Sequence, residues 1–270
     1  MKLGIIGCGF VGGAVAQGFS LHADLKIYDK AKAFDSLEET INQDILFLCL
    51  PTPMRRNGEQ NLDIMDEVIS GINDLAEETK IIVIKSTVVP GTTRKYAEKY
   101  PKHQFVMNPE FLTARSARLD FINSSRIVIG AERVTSLSGH AVAALYRKRF
   151  PSTPIFPTTW EGAELIKYMA NCFFALKITY MNEIYDVCQS LGLDYDQLKA
   201  MFVADGRIGN SHLDVPGFDG DRGFGGTCFP KDTSAFALWA RRNGTPVKTV
   251  ELAFEYNKQI RKKIDWEETD

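Results

Sequence analysis

Zinc-type spacing is missing from this 270-residue chain: its five cysteines, at 8, 49, 172, 188 and 228, include no CxxC pair. A cysteine-built metal site is therefore not expected, and an odd count without a disulfide framework suits a reducing cytoplasm. Charge of one sign is missing too. With 32 basic residues against 34 acidic ones and no long basic run, the chain lacks the electrostatic footprint of a nucleic-acid partner. The longest strongly apolar run, ILFLCL at residues 45–50, falls far short of the roughly 20 residues that cross a bilayer, so no membrane partner is expected. Neither internal repeats nor low-complexity segments interrupt the chain. The opening MKLGIIGCGFVGGAVAQGF is basic and then apolar like a secretion signal, but its glycine spacing belongs to a different motif. What remains, at 44% hydrophobic and 24% charged, is an ordinary globular composition with length for two compact domains.

KLGIIG reads as a short buried strand, followed by Gly7, Gly9 and Gly12 in GxGxxG spacing and by the helical run VGGAVAQGFSLH. Strand, glycine turn and helix together form the dinucleotide-binding context. Gly7 permits the turn, Gly9 lets a pyrophosphate approach the backbone, and Gly12 allows close helix-to-strand packing. A second strand, LKIYD, ends in Asp29, an acid placed to accept the ribose hydroxyls of NAD and repel the extra phosphate of NADP, with Lys30 beside it opposing that preference. Further strands are expected through DILFLCL, IIVIK, HQFVMN and RIVIGA, alternating with helices after Asn61, after Gly91 and over residues 134–150. That alternation predicts an α/β, Rossmann-type, doubly wound and mainly parallel sheet over residues 1–156. Three strand ends carry polar groups where such sheets bind ligands: Pro51, Thr52 and Pro53; Ser86 and Thr87; Asn108, Pro109 and Glu110. Taken singly, each is an ordinary turn.

Residues 157–270 are expected to form a mainly helical second domain. After the connection FPSTPIFPTT, roughly thirty residues from Glu161 carry helical character, a helix about 45 Å long. It is apolar on nearly every side, which predicts burial within its domain or against a second subunit, hence a homodimer through this helix. Glu164, Lys167 and Asn171 fall at i, i+3 and i+7, on one face, either as a functional stripe or with Glu164 and Lys167 as a plain ion pair. The tail KQIRKKIDWEETD reads as a solvated end.

Residues 223–232, GFGGTCFPKD, hand Cys228 to a glycine loop that then starts a helix, with Pro230 suited to its first turn. The glycines are expected to let backbone approach a ligand. The helix dipole and Lys231 favour the thiolate, which makes Cys228 a candidate nucleophile rather than a structural thiol.

The blocks GCGFVG, LPTP, KSTVVPGTT, NPEFL, AELIKYMANCFFALKITYMNEI, ADGRIG and GFGGTCFPKD, in that order, resemble the UDP-glucose 6-dehydrogenase family within the wider UDP-glucose/GDP-mannose dehydrogenases. The resemblance implies oxidation of a sugar's primary alcohol to a carboxylate with two NAD, most simply UDP-glucose to UDP-glucuronate. It assigns Cys228 as the nucleophile, Lys167 or Asp232 through water as the base, and Lys167 with Asn171 as stabilisers of the oxyanion. Thr87, Glu110 and Asp232 would position the hydrolytic water. Gly7, Gly9, Phe10, Val11, Gly12, Asp29, Pro51, Thr52, Thr87 and Glu110 are implied for the cofactor. For the nucleotide sugar the implied residues are Phe111, Leu112, Lys167, Asn171, Gly223, Phe224 and, toward a neighbouring subunit, Arg207. Thr113, Ala114 and Arg115 depart from the family pattern after NPEFL. Family members also continue with another α/β domain beyond the point where this chain stops, so the nucleotide is expected to be held differently, weakly or with a separate chain. Two other readings stay open: a one-step 3-hydroxyacid-type dehydrogenase that needs no thiol, and a non-catalytic NAD-binding relative.

Overall fold

A computed structural model describes residues 1–266 throughout and residues 268–269 as backbone. Strands in chain order are β1 (Lys2–Ile6), β2 (Asp24–Tyr28), β3 (Ile45–Leu48), β4 (Met54–Arg55), β5 (Ile81–Ile84), β6 (Gln104–Met107), β7 (Ile127–Ala131), β8 (Ile155–Thr159) and β9 (Glu268–Thr269). Helices are α1 (Phe10–Phe19), α2 (Leu37–Ile41), α3 (Asp63–Leu75), α4 (Thr92–Lys99), α5 (Ala117–Ile122), α6 (Leu137–Arg149), α7 (Trp160–Leu191), α8 (Tyr195–Val203), α9 (Phe229–Arg242) and α10 (Lys248–Ile260). No helix among the described residues is long and apolar enough to cross a membrane. The chain divides into two compact units, residues 1–52 with 61–167, and residues 53–60 with 168–270.

The first unit is a seven-stranded sheet in the order β2-β1-β3-β5-β6-β7-β8, a Rossmann-type arrangement. Every neighbouring pair is parallel except β6 with β7. The central strands are continuous apolar runs because both faces of a helix-covered sheet are buried there. Along β3 and β5 the alternation sends Leu46, Leu48, Ile82 and Ile84 toward α3 and α4, and Ile45, Phe47 and Val83 toward α1 and α6. The chain leaves β1 in one direction and β3 in the other, so the crevice between them is the switch point where this class of sheet binds ligands.

Three expectations change. The FPSTPIFPTT connection contains an edge strand, β8, in register with β7. Pro157 is tolerated there because an edge strand has one side with no ladder bond to make. The first unit also extends past residue 156 to Lys167, because Trp160 and Ala163 at the start of α7 are part of its core and the Trp160 indole donates to the Phe105 carbonyl at 2.9 Å. Nor is the tail simply solvated. Arg261 is buried and pairs with Asp219 at 2.6 Å and Asp265 at 2.8 Å, and Trp266 is buried beside Phe254. Residues 267 and 270 of that tail lie outside the described residues.

The second unit holds the rest of α7 with α8, α9 and α10. Residues 53–60 join it: Ser234 of α9 donates to the Gly58 carbonyl at 3.0 Å, and Arg242 pairs with Glu59. Its core gathers Met181, Cys188, Tyr195, Leu213 and Val215. Within this unit α7 is not buried all round; Met169, Phe173, Tyr180, Val187 and Leu191 are each more than half exposed.

Candidate active site

The glycine fingerprint sits at the start of α1. A side chain at Gly12 would place its first carbon 1.9 Å from the Gly7 carbonyl, so the helix approaches the strand as closely as backbone allows. Gly9 is the N-cap, and a first side-chain carbon there would meet nothing within 4 Å. α1 has no side-chain cap and no acid in its first turn, which leaves its N-terminus to an anion. Asp29 closes the other end. Its carboxylate accepts the Cys8 N–H at 2.6 Å and the Ala31 N–H at 3.0 Å, and the Cys8 bond foremost holds it below the usual carboxylate range. The carboxylate keeps acceptor capacity beyond these bonds for a ribose hydroxyl. Phe10 is exposed and Val11 half-buried at the same turn. These residues fit a dinucleotide.

Behind them the strand ends are laced together. Ser86 exchanges bonds with the Leu50 backbone at 2.9 and 2.7 Å, and the Thr52 hydroxyl donates to the Thr87 carbonyl at 3.1 Å; Pro51 between them is exposed. Lys85, 3% exposed, donates to the Asn108 carbonyl at 3.1 Å and its side-chain oxygen at 2.9 Å. Tyr146 donates to that same oxygen at 2.5 Å, and the Asn108 amide reaches the Val128 carbonyl at 2.7 Å. Burial pushes the Lys85 ammonium down to about 8. The segment that follows is thereby pinned, and it aims Glu110 at Lys167, 2.8 Å away, both buried. The second Glu110 oxygen accepts the Leu112 N–H at 2.6 Å. Two cations approach the Phe111 ring, Arg126 at 4.0 Å and Lys167 at 5.7 Å from its centre. Phe111 and Leu112 also line a cleft of about 330 Å³ with Lys85, Arg126 and Tyr146.

The simple Glu164–Lys167 pair is not formed. Lys167 belongs to Glu110, while Glu164 accepts the N–H groups of Gly91 and Thr93 and the Thr93 hydroxyl.

In the second unit Cys228 is the N-cap of α9 and is half-buried. Its carbonyl accepts the Asp232 N–H at 2.8 Å, which fixes the first turn. Asp232, 1% exposed, takes the Asn171 amide at 2.5 Å on one oxygen and the Lys231 ammonium on the other. Lys231 is therefore committed to a carboxylate rather than aimed at the thiol. Cys8, Cys49 and Cys172 are raised by burial, Cys49 to about 12, and stay as thiols at neutral pH.

The glycine loop is packed differently from the expectation. A side chain at Gly223 would meet Asn257 at 2.2 Å and one at Gly225 would meet Arg261 at 1.9 Å, so both glycines make room for the protein's own side chains. Gly226, at φ 72°, is the one with open space. Phe224 has its ring in the core and its N–H and carbonyl bonded to Asn257 at 2.7 and 2.8 Å. Arg207 is exposed and forked onto Asp205, at 2.9 Å from its Nε. Lys85, Arg126 and Tyr146 were not singled out from the sequence. Lys85 had a signal, as the cation directly before Ser86 and Thr87 at the end of an apolar strand; Arg126 and Tyr146 had none.

Residues 26–150 match the NAD binding domain of the UDP-glucose/GDP-mannose dehydrogenase family, and residues 161–259 match its central domain. UDP-glucose 6-dehydrogenase TuaD of Bacillus subtilis is 36% identical over 225 residues, which is 81% of this chain and 47% of that protein. A UDP-glucose dehydrogenase structure from Pyrobaculum islandicum superposes with a TM-score of 0.82 at 28% identity, covering 94% of this chain and 68% of the other. A Mycobacterium tuberculosis 3-hydroxyisobutyrate dehydrogenase superposes with a TM-score of 0.75 at 14% identity, over 96% of this chain and 92% of the other, a likeness of fold. The chain spans about half the length of the curated relatives it matches.

Proposed function

The chain belongs to the UDP-glucose/GDP-mannose dehydrogenase family, and from that membership we propose that it oxidises the primary alcohol of a nucleotide sugar, UDP-glucose foremost, to the carboxylate. When bound, NAD would supply the hydride acceptor for two oxidations, alcohol to aldehyde and thiohemiacetal to thioester, with Lys167, or Asp232 through water, taking the alcohol's hydroxyl proton. Gly9, the α1 N-terminus and Asp29 would hold the cofactor.

The observation that carries this reading is the first turn of α9: a half-exposed thiol at the N-cap, with buried Asp232 held by Asn171 four residues on. Cys228 adds through its sulfur to the aldehyde carbon, and the new oxyanion takes a proton to become the thiohemiacetal. Asn171 and Lys167 are the donors for that oxygen. The thiohemiacetal keeps the half-oxidised, aldehyde-level carbon on the enzyme until the second hydride leaves and the thioester forms. Water then adds, the carbon–sulfur bond breaks, and the acid leaves with Cys228 again a thiol. Glu110 and Asp232 are the carboxylates available to take the water proton, with Thr87 as its second hydrogen-bond partner.

Purified protein with UDP-glucose should yield two NADH per sugar, and Cys228→Ser should form no acid. One NADH per substrate with activity surviving in Cys228→Ser would instead establish the one-step reading. NAD binding without turnover of any UDP- or GDP-sugar would establish a binding protein.

The exposed apolar residues of α7 suit a second copy of this chain, because Phe173, Tyr180 and Val187 recur every seven residues along one side of the helix. Sedimentation should give a dimer that Phe173→Glu dissociates; a monomeric wild type sinks this reading.

A further inference from the structure

α4 begins without a cap of its own. Its N-cap residue is Gly91, in the left-handed region at φ 92°, and no neighbouring side chain in sequence accepts its first N–H groups. The acceptor comes from α7 instead. Glu164, with no exposed surface, takes the Gly91 N–H at 2.6 Å, the Thr93 N–H at 2.7 Å and the Thr93 hydroxyl at 2.7 Å. An acid at a helix start is favoured by the dipole as well as by the bonds. On its other side the same loop is tied to the β3 strand end by Ser86 and Thr52. One turn beyond Glu164 on α7 stands Lys167, bonded to Glu110.

We propose that Glu164 is a positioning residue for the candidate site: its carboxylate staples the loop that presents Thr87 to the stretch of α7 that presents Lys167. Its consequence for turnover rests on the oxidation proposed above; the staple itself does not.

The group is also poised to titrate. Burial raises the Glu164 carboxyl to about 7 against the pull of its three donors. The charge that acts on it is Glu161, which raises it further; the other charged groups of the two packed turns are Lys167 on α7 and Arg94 and Lys95 on α4, with Arg94 committed to Glu161 at 2.6 Å and Lys167 to Glu110. Protonation turns one accepting oxygen into a donor facing N–H groups, so the staple is strongest as the carboxylate. Glu164→Gln puts an amide NH₂ in the same position at every pH.

Two readouts test this. Amide exchange at Gly91 and Thr93 needs no substrate, and in Glu164→Gln it should be about 10-fold faster or more. Unchanged exchange would overturn the staple. The second readout is kcat for NADH formation with UDP-glucose. The wild-type to Glu164→Gln ratio should climb several-fold between about pH 6 and about pH 8 and then level, reaching about 10- to 100-fold. A ratio that stays flat with pH marks a merely structural residue and overturns the positioning role. A wild type that turns over no nucleotide sugar refutes the proposed function, and exchange still decides the staple. Should Glu164→Gln fail to fold, Thr93→Ala removes the hydroxyl donor alone. Gly91 exchange should then rise about 2- to 5-fold, and no rise overturns the proposal.

Discussion

Two glycine turns in this chain lead into helices, and they finish the helix N-terminus in opposite ways. At residues 7–12 the turn leaves α1 bare: Gly9 caps it without a side chain, the first turn carries no acid, and the space over Gly9 is open. The turn at residues 223–226 instead delivers α9 already furnished, with Cys228 at the cap, Asp232 in the first turn, and Gly223 and Gly225 pressed against Asn257 and Arg261. An unfilled N-terminus is a place for a visiting anion. A filled one is occupied by the protein's own side chains. The glycines that set the two apart are Gly9, which faces open space in the first turn, and Gly223 and Gly225, which make room for internal side chains in the second.

The sharpest way to break that contrast is to add one methyl group to each turn. Gly225→Ala should be the more damaging, because its first side-chain carbon would fall 1.9 Å from Arg261, which has no exposed side-chain surface and holds both Asp219 and Asp265. Displacing a buried paired guanidinium and overpacking the loop should cost about 3 kcal/mol. That corresponds to a fall in melting temperature of roughly 6–12 °C for a chain of this size. A melting temperature unchanged in Gly225→Ala would mean that the loop yields, and the contrast would fail. Gly9→Ala should leave the fold alone, since alanine tolerates its φ of −73° and nothing stands within 4 Å. Calorimetry should show NAD binding weakened about 10-fold by the methyl in the pyrophosphate's path. Unaltered NAD affinity would remove Gly9 from the cradle.

The same contrast accounts for what could be read from sequence. The first turn was legible because its clearances are local: Gly7, Gly9 and Gly12 act within one strand–turn–helix unit, and the apolar strands announce a sheet covered on both faces. The purpose of Gly223 and Gly225 was not, because Asn257 and Arg261 lie more than thirty residues away and only folding brings them close. Lys167 and Glu164 teach the same lesson. Both stand out in the sequence as a polar stripe on an apolar helix, yet their partners, Glu110 and the start of α4, are 57 and 71 to 73 residues distant. β8 was hidden for a different reason: prolines around it mimic a connection, and its place at the sheet edge excuses the missing donor.

The smallest effect belongs to the acid that serves the bare turn from outside. Asp232 sits within the helix it serves, whereas Asp29 reaches the glycine turn from the end of β2, through the Cys8 N–H at 2.6 Å. That bond, foremost, holds the Asp29 carboxyl below its ordinary value. A carboxyl depressed in the folded state adds stability above its unfolded pKa of about 3.9 and loses it as pH falls through the folded value. Asp29→Asn should therefore melt slightly below wild type at neutral pH, with the gap closing in acid below about pH 4. Because the group is partly exposed and screened by solvent, the neutral-pH gap should be about one or two degrees. NAD affinity should fall alongside, by about 10-fold, as a ribose acceptor is lost. If the melting gap instead stays constant into acid, the Cys8 bond does not depend on the charge, and Asp29 serves the turn by shape alone.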